Sequence, residues 1–124
     1  MEFPFSRGQL RYLVSGGRIC VLEHEGRIAG MIVFLVRRHH RLMRIYDVVF
    51  EYREDDDLRP QLLEFAEDYA RLQGCTHVAL EVSESDDDTL LCYREAGYSL
   101  NRILSDHYAP GLHARRLIKP LRTA

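Results

Sequence analysis

The stretch LEVSESDDDTLLCYREAGY, residues 80–98, decides how this chain folds. Its first residues complete an apolar, β-branched run, His77–Val82, which predicts a strand. Acidic residues then lead into a predicted helix, from about Asp87 to Ala96, and Gly97 ends it. The apolar residues that follow, Tyr98–Leu104, predict another strand. The stretch therefore indicates a strand–helix–strand unit of an α/β fold.

Three further strands and a longer helix are predicted upstream of this unit. The strands are Arg18–Glu23, Ile28–Val36 and Leu42–Phe50. A helix follows them, because Leu58, Leu62 and Phe65 recur at helical spacing. Pro60 is compatible with this helix, since it falls in the first turn, where backbone donors lack partners in any case. The chain thus passes from a meander of strands into alternating strands and helices.

The two ends of the chain complete the predicted fold. At the N-terminus, Ser6 is placed to cap a short helix from about Arg7 to Val14. Near the C-terminus, Arg115–Ile118 predicts a closing strand after a turn at Pro110-Gly111. Together the elements predict a single domain, residues 1–124, built as a mixed α/β sheet of about six strands with helices on both faces.

Composition and charge exclude several broad classes of function. The 124 residues carry a formal net charge of −2, so we expect neither nucleic acid nor a membrane surface as a partner. No apolar run is long enough to span a bilayer, and the first residues lack the basic leader of a signal peptide. The three cysteines have no metal-like spacing. We therefore expect free thiols in a cytoplasmic protein.

The end of the opening stretch carries a family resemblance. The sequence YREAGY, residues 93–98, follows a strand that ends in Leu-Glu-Val and resembles the second half of a GNAT N-acetyltransferase domain. The spacing from Glu81 to Tyr93 is similar to that of the branch that acetylates protein N-termini, such as the ribosomal-protein alanine acetyltransferases. The resemblance covers about residues 18–121. It implies a GNAT-like sheet, acetyl-CoA as the cofactor and an amine as the acceptor.

The resemblance also implies roles for individual residues. Glu81 would be the general base that takes the proton of the acceptor amine, directly or through water. Tyr93 would be the general acid that reprotonates the coenzyme A thiolate, since a phenol within reach of sulfur can return a proton. The residues implied to contact the cofactor are Val48, Val49, Arg53, Arg59 and Asp86. Considered without the resemblance, Glu81 can also be a strand carboxylate paired with a cation, and Tyr93 a half-buried aromatic.

The chain departs from the family pattern at its N-terminus. Only one short predicted helix precedes the first predicted strand, so the usual first strand of the family is lacking. The missing elements usually help to wall the acceptor site, and their loss leaves a sheet edge exposed. Because uncovered edges invite pairing, a homodimer or a protein partner at this edge is one hypothesis.

A second departure lies in the loop that should hold the pyrophosphate of acetyl-CoA. The family pattern is Arg/Gln-x-x-Gly-x-Gly/Ala, whose glycines let backbone N–H groups approach the phosphates. This chain has YREDDDLRP at residues 52–60, with no glycine and with consecutive carboxylates from Glu54 to Asp57. Two like charges about 4 Å apart repel by about 1 kcal/mol in water and about 4 kcal/mol near a protein surface. We therefore expect acetyl-CoA binding to be impaired.

The acidic residues near the predicted cleft have two interpretations. Aspartates at a helix start can cap free N–H groups and complement the helix dipole, in which case no metal is bound. Alternatively, a cluster of carboxylates can bind a divalent cation or a basic peptide. The candidate ligands are then Asp55, Asp56, Asp57, Asp86 and Asp87.

Three functions stay open at the level of sequence. The first is a divergent relative of the N-acetyltransferases with impaired cofactor binding, which serves as a partner-binding or regulatory domain. The second is an active acetyl-CoA-dependent N-acetyltransferase that modifies an amine of a protein or small molecule. The third is a small binding module whose acidic cleft holds a cation or a basic peptide. Turnover of acetyl-CoA separates the second from the other two.

Overall fold

The computed structural model describes residues 2–7, 10–15, 18–51 and 58–122. In these ranges the chain forms eight strands, two α-helices and a 3₁₀ turn at Arg38–His40. In chain order the strands and helices are β1 Glu2–Arg7, β2 Leu10–Ser15, β3 Ile19–His24, β4 Arg27–Arg37, β5 Leu42–Phe50, α1 Leu58–Leu72, β6 His77–Ser83, α2 Asp87–Glu95, β7 Ser99–Ala109 and β8 Leu112–Pro120.

All the described strands belong to one mixed sheet, in the order β1-β2-β3-β4-β5-β6-β8-β7. Neighbouring strands are antiparallel except β5 and β6, which run parallel. Parallel neighbours need a long crossover connection, and α1 lies in that connection. The α/β fold class predicted from the sequence is confirmed. The sheet has more strands than the six predicted, because two additional strands lie before β3.

The short helix predicted from Arg7 to Val14 is wrong. Residues 10–15 form β2, which pairs antiparallel with β3 from Leu10 opposite His24 to Ser15 opposite Ile19. Pairing along a whole strand satisfies backbone donors and acceptors, whereas an isolated helix of two turns is marginal in water. Because β2 covers β3, the sheet edge on which the dimer hypothesis relied is not open. The outer strands of the described sheet are β1 and β7.

Helix α1 packs over the middle of the sheet and forms the core. Leu58 and Leu62 are fully buried, and burying one leucine stabilises the fold by roughly 1.5–3 kcal/mol. The ring of Phe34 in β4 lies 5.4 Å from the ring of Tyr69 in α1. Gly30 permits the close approach of helix and strand, since a Cβ at this position would lie 3.0 Å from Leu62 Cδ1.

The second helix lies on the same face of the sheet as the first. Lys119 of β8 donates from Nζ to Glu67 Oε1 of α1 at 2.8 Å and to the carbonyl oxygen of Ala96, at the end of α2, at 2.7 Å. The hydroxyl of Tyr98 donates to the other carboxylate oxygen of Glu67 at 3.0 Å. Both described helices therefore share one face, whereas the sequence predicted helices on both.

The opposite face carries a row of charged side chains. The strand register places Arg44 beside Ala79, and Glu81 opposite Arg116. Alternate residues of a strand face opposite sides of a sheet. Since Leu80 is buried under the helices, Arg44, Glu81 and Arg116 lie on the face away from α1.

Candidate active site

A cavity opens where β5 and β6 separate. Their parallel register ends at Ile45 and Leu80, while β5 stays paired with β4 as far as Phe50. The notch between the two strands holds a cavity of about 220 Å³, here called the notch cavity. Its lining residues are Ile45, Tyr46, Asp47, Val48, Arg59, Leu80, Glu81, Val82, Ser83, Asp86, Thr89 and Tyr93.

The structure gathers most of the predicted catalytic and cofactor-contacting residues around this cavity. Glu81, Tyr93, Val48, Arg59 and Asp86 all line it, although they come from β5, α1, β6, α2 and the loop before α2. They meet because the C-terminal ends of the two parallel strands and the starts of both helices lie at the same edge of the sheet. This is the edge at which ligands bind in open α/β sheets.

Other predicted site residues do not join this group. Val49 is 48% exposed and does not line the notch cavity. Asp87 is exposed in the first turn of α2. Arg53 and the acidic residues Asp55, Asp56 and Asp57 lie outside the described residues.

Tyr93 presents a buried phenol to the notch cavity. Its side chain is buried, and its ring lies 5.7 Å from the ring of Tyr98. Burial raises the pKa of Tyr93 to about 12, although the charge of Arg59 opposes part of that rise. The phenol is therefore protonated at neutral pH. Among the described residues, no partner is found for a hydrogen bond with its hydroxyl.

Glu81 is held by two arginines. Its Oε1 accepts a hydrogen bond from Nη2 of Arg44, and two more from Arg116, from Nη2 at 2.9 Å and from Nε at 3.2 Å. The side chain of Glu81 is 8% exposed, and both arginine side chains are about a quarter exposed. Hydrogen bonds between ionised groups, such as these three, are stronger than those between neutral groups. Glu81 is therefore ion-paired and rigidly placed, and within the described chain only Oε1 takes part in these bonds.

Asp86 caps helix α2. Its Oδ1 accepts the backbone N–H of Thr89 at 3.1 Å, and hydrogen bonds to Thr89 hold the pKa of Asp86 below its ordinary value. The charge of Arg59 lowers this pKa further. The capping interpretation of this aspartate is thus confirmed. As a consequence, a carboxylate occupies the start of α2, where a helix N-terminus could otherwise attract an anion.

Arg59 brings positive charge to the rim of the notch cavity. Its guanidinium carbon lies 4.9 Å from the ring centre of Phe50 and 5.9 Å from that of Tyr93. Cation–π contacts of this kind fix a guanidinium without neutralising it. Among the described lining residues, Arg59 is the one cation.

No metal centre is found in the part of the chain that the structure describes. There, no group of three or more histidine, cysteine, aspartate or glutamate side chains is arranged to hold a metal ion. Asp86 and Asp87 are present, but their predicted co-ligands at 55–57 lie beyond the described ranges. The three cysteines are free, as expected, with Cys20 and Cys75 buried.

Sequence reasoning missed the arginine pair that binds Glu81. The sequence predicts Arg44 only as part of the strand Leu42–Phe50, and Arg116 only as part of the closing strand Arg115–Ile118. A signal existed for Arg44, since it alternates with the buried residues Met43 and Ile45 in a strand. Arg116 could be matched to Glu81 only through the antiparallel register of β6 and β8, which the sequence does not specify.

Comparison with known proteins supports the fold. No family model matches the chain, and no curated protein matches it. Among solved structures, nourseothricin acetyltransferase superposes with a TM-score of 0.75 at 22% identity, covering 92% of this chain and 66% of that one. A putative GNAT acetyltransferase from Desulfovibrio desulfuricans gives 0.76 at 18% identity, covering 84% and 68%. A dodecameric spermidine N-acetyltransferase from Vibrio cholerae gives 0.74 at 15%, covering 84% and 64%.

These likenesses establish that the chain has the fold of the GNAT acetyltransferases. The chain spans about two thirds of the length of the solved proteins that it matches. Neither described helix is long and apolar enough to cross a membrane. The fold is thus shared, while activity, acceptor and assembly have to be argued from this chain's own residues.

Proposed function

We propose that the protein is an acetyl-CoA-dependent N-acetyltransferase that holds the thioester end of its cofactor in the notch cavity and binds the nucleotide end weakly. The observation that carries this proposal is the buried, protonated Tyr93 at a notch between two parallel strands. A neutral phenol at that place is what the departure of a thiolate requires.

The described residues fit the arm of the cofactor better than its phosphates. Beyond Ile45, the side of β5 that faces β6 offers backbone groups to an extended chain entering the notch. At the rim, by contrast, Asp86 caps α2 with a negative charge, and Arg59 alone opposes it among the described lining residues. The acidic run at residues 54–57 adds further negative charge in the sequence. This charge balance favours weak binding of the diphosphate.

The proton transfers are assigned to two side chains. When bound, acetyl-CoA supplies a thioester whose carbonyl carbon forms the new C–N bond as the C–S bond breaks. Tyr93 gives its hydroxyl proton to the leaving sulfur and regains one from solvent. Glu81 takes the proton that the amine loses, through Oε2 or a water molecule, because Oε1 is already bonded to Arg44 and Arg116. Both arginines hold the carboxylate in place during this transfer.

A second candidate function is favoured by the arginine pair itself. A carboxylate bonded to two guanidinium groups is a stable structural unit, and such a unit does not need to act as a base. In this second candidate function the protein has the fold but does not catalyse acetyl transfer, and it serves as a partner-binding or regulatory domain. Turnover and cofactor binding distinguish the two candidates.

The test compares acetyl-CoA with S-acetylpantetheine, which lacks the nucleotide and its phosphates, by calorimetric titration. We expect both to bind, with affinities within about tenfold of each other. We also expect acetyl-CoA to bind more tightly as salt is raised from 50 to 300 mM, since salt screens repulsion between exposed charges. S-acetylpantetheine, without phosphates, should show no such dependence. No binding of either compound at millimolar concentration would favour the second candidate.

Turnover supplies the second readout. With a panel of amines as acceptors, Tyr93→Phe should lower the rate of thiol release by about 10²–10⁴-fold while leaving S-acetylpantetheine binding unchanged. Tyr46→Phe is the matched control, because Tyr46 lines the same cavity but is half exposed. Equal loss of activity in both variants would contradict the role given to Tyr93.

A further inference from the structure

A larger groove lies at the other end of α1, away from the notch cavity. It has a volume of about 600 Å³ and is formed by the last turn of α1, the loop into β6 and the residues after β8. Ligand sites are usually concave, largely apolar and of roughly 300–1,000 Å³. None of its lining residues takes part in the site described above, so its shape and chemistry need a separate explanation.

The body of this groove is apolar. Leu72, at the end of α1, is 71% exposed, and Leu121 lies beside it on the groove wall. Cys75 is buried at the wall with its thiol free, and burial raises its pKa, so it contributes an apolar surface rather than a reactive thiolate. Gly74 adds no side chain to the wall. The space beside it is open, since a Cβ built there would meet nothing within 4 Å. The groove is therefore open to an apolar group.

The charged residues around this groove are predominantly cationic. They are Arg41, Arg71, Arg122 and Asp68. Arg71 is already paired, since its Nη1 bonds Asp68 Oδ1 at 2.8 Å and its Nε donates to the carbonyl oxygen of Arg122 at 2.9 Å. The guanidinium groups of Arg41 and Arg122 have no hydrogen bond or ion pair with any described residue. Three cations against one carboxylate leave an excess of two positive charges.

The backbone holds Arg41 firmly at this position. Its carbonyl oxygen accepts the backbone N–H of Thr76 at 2.7 Å and the hydroxyl of the same threonine at 3.3 Å. Its own N–H bonds the carbonyl oxygen of Arg38 at 3.2 Å, in a left-handed conformation with φ of 50°. The backbone from which the Arg41 side chain extends is thus held next to the apolar wall.

We propose that this groove binds an amphipathic monoanion, a small molecule with an apolar body and a single carboxylate or sulfonate head. The apolar body covers Leu72 and Leu121, and the head lies between Arg41 and Arg122. A neutral ligand of the same shape would leave both guanidinium groups without a counter-charge. A cationic ligand would be repelled by them.

The probe for this proposal is 8-anilinonaphthalene-1-sulfonate, which combines an aromatic body with a sulfonate and fluoresces when bound. The full chain should bind it, and decanoate should displace it. Decanol should displace it at least about tenfold less well, and decyltrimethylammonium should not displace it at all. Equal displacement by the three competitors would mean that only apolar contact is involved, and the proposal would then be wrong.

Substitutions in the groove test where the probe binds. Arg41→Gln with Arg122→Gln should weaken binding of the probe by about tenfold, whereas Arg94→Gln with Arg102→Gln removes the same charge from exposed positions elsewhere and should leave it unchanged. Leu72→Asp, at an exposed position that can change without unfolding the core, should also weaken binding of the probe. Unchanged binding in the first double variant would overturn the assignment. Circular dichroism and the melting temperature confirm that each variant is folded.

Discussion

Glu67 and Glu81 are carboxylates of similar burial, with side chains 7% and 8% exposed, on opposite faces of one sheet. Glu67 bonds one lysine and one phenol, so the charges in its network sum to zero. Glu81 bonds two guanidinium groups, which leaves one positive charge in excess. The two carboxylates are therefore alike in burial and differ in the charge balance of the groups that bind them. Removing one partner from each carboxylate tests this difference.

The largest effect is expected from Lys119→Met. This change leaves Glu67 buried with Tyr98 as its only described partner, and it also removes the bond to the Ala96 carbonyl. Breaking a buried pair in this way costs about 3 kcal/mol or more, because an uncompensated charge stays behind. Urea unfolding should show the loss, and Arg102→Gln, which removes an exposed charge, should show none. A loss below about 1 kcal/mol would mean that water reaches Glu67 freely.

The next largest effect is expected from alkaline pH, which should lower the free energy of unfolding. Burial raises the pKa of Tyr93 to about 12, and burial together with the charge of Glu67 raises the pKa of Tyr98 further. Below pH 10 these tyrosines are protonated in both the folded and the unfolded chain. Above pH 10 only the unfolded tyrosines ionise, so stability falls as pH rises, by about 2 kcal/mol from Tyr93 alone between pH 10 and 12.

The measurement is the free energy of unfolding in urea at pH 9, 10 and 11. Tyr93→Phe and Tyr98→Phe should each flatten the decline, whereas Tyr46→Phe, at an exposed position on the other side of β5, should not. A decline of the same slope in all the variants would show that the buried tyrosines do not cause it.

A smaller effect is expected from Tyr98→Phe at neutral pH. The change removes a hydrogen bond of 3.0 Å to a charged oxygen of Glu67, which is worth about 1.5–3 kcal/mol. The Lys119 bond to the other oxygen remains, and the cost should fall at the lower end of that range. Tyr93→Phe is the matched comparison, because no hydrogen bond of its hydroxyl is found within the described chain, and it should cost less than about 0.5 kcal/mol. Similar costs for both would contradict the difference between the two tyrosines.

Among the partners of the two carboxylates, the smallest effect is expected from Arg44→Gln. Arg116 keeps its two hydrogen bonds to Glu81 Oε1, so the carboxylate stays paired, and the loss should be below about 1 kcal/mol. The double variant with Arg116→Gln should lose clearly more than the sum of the single variants, since only then is Glu81 left buried without a cation. Strictly additive losses of stability would show that neither arginine compensates for the removal of the other.

How far the sequence anticipated the molecule depends on the kind of pattern involved. The strand–helix–strand order from residue 77 onward follows from apolar periodicity and from Gly97, and the structure agrees with it. The capping role of Asp86 follows from its place before a helix. The N-terminal hairpin was not anticipated, because residues 10–15 owe their conformation to pairing with β3 rather than to local preference. The pairing of Glu81 with Arg116 likewise spans 35 residues of chain.

The sequence by itself determined the fold class and the residue types that meet at the notch cavity, because helical and strand periodicity are local properties. Only the tertiary structure decided which charges face each other. Register across β5, β6 and β8 joined Arg44 and Arg116 to Glu81, and the docking of both helices on one face joined Lys119 to Glu67. Contacts between residues distant in the chain depend on how strands pair and helices pack, and a single sequence carries no direct record of either.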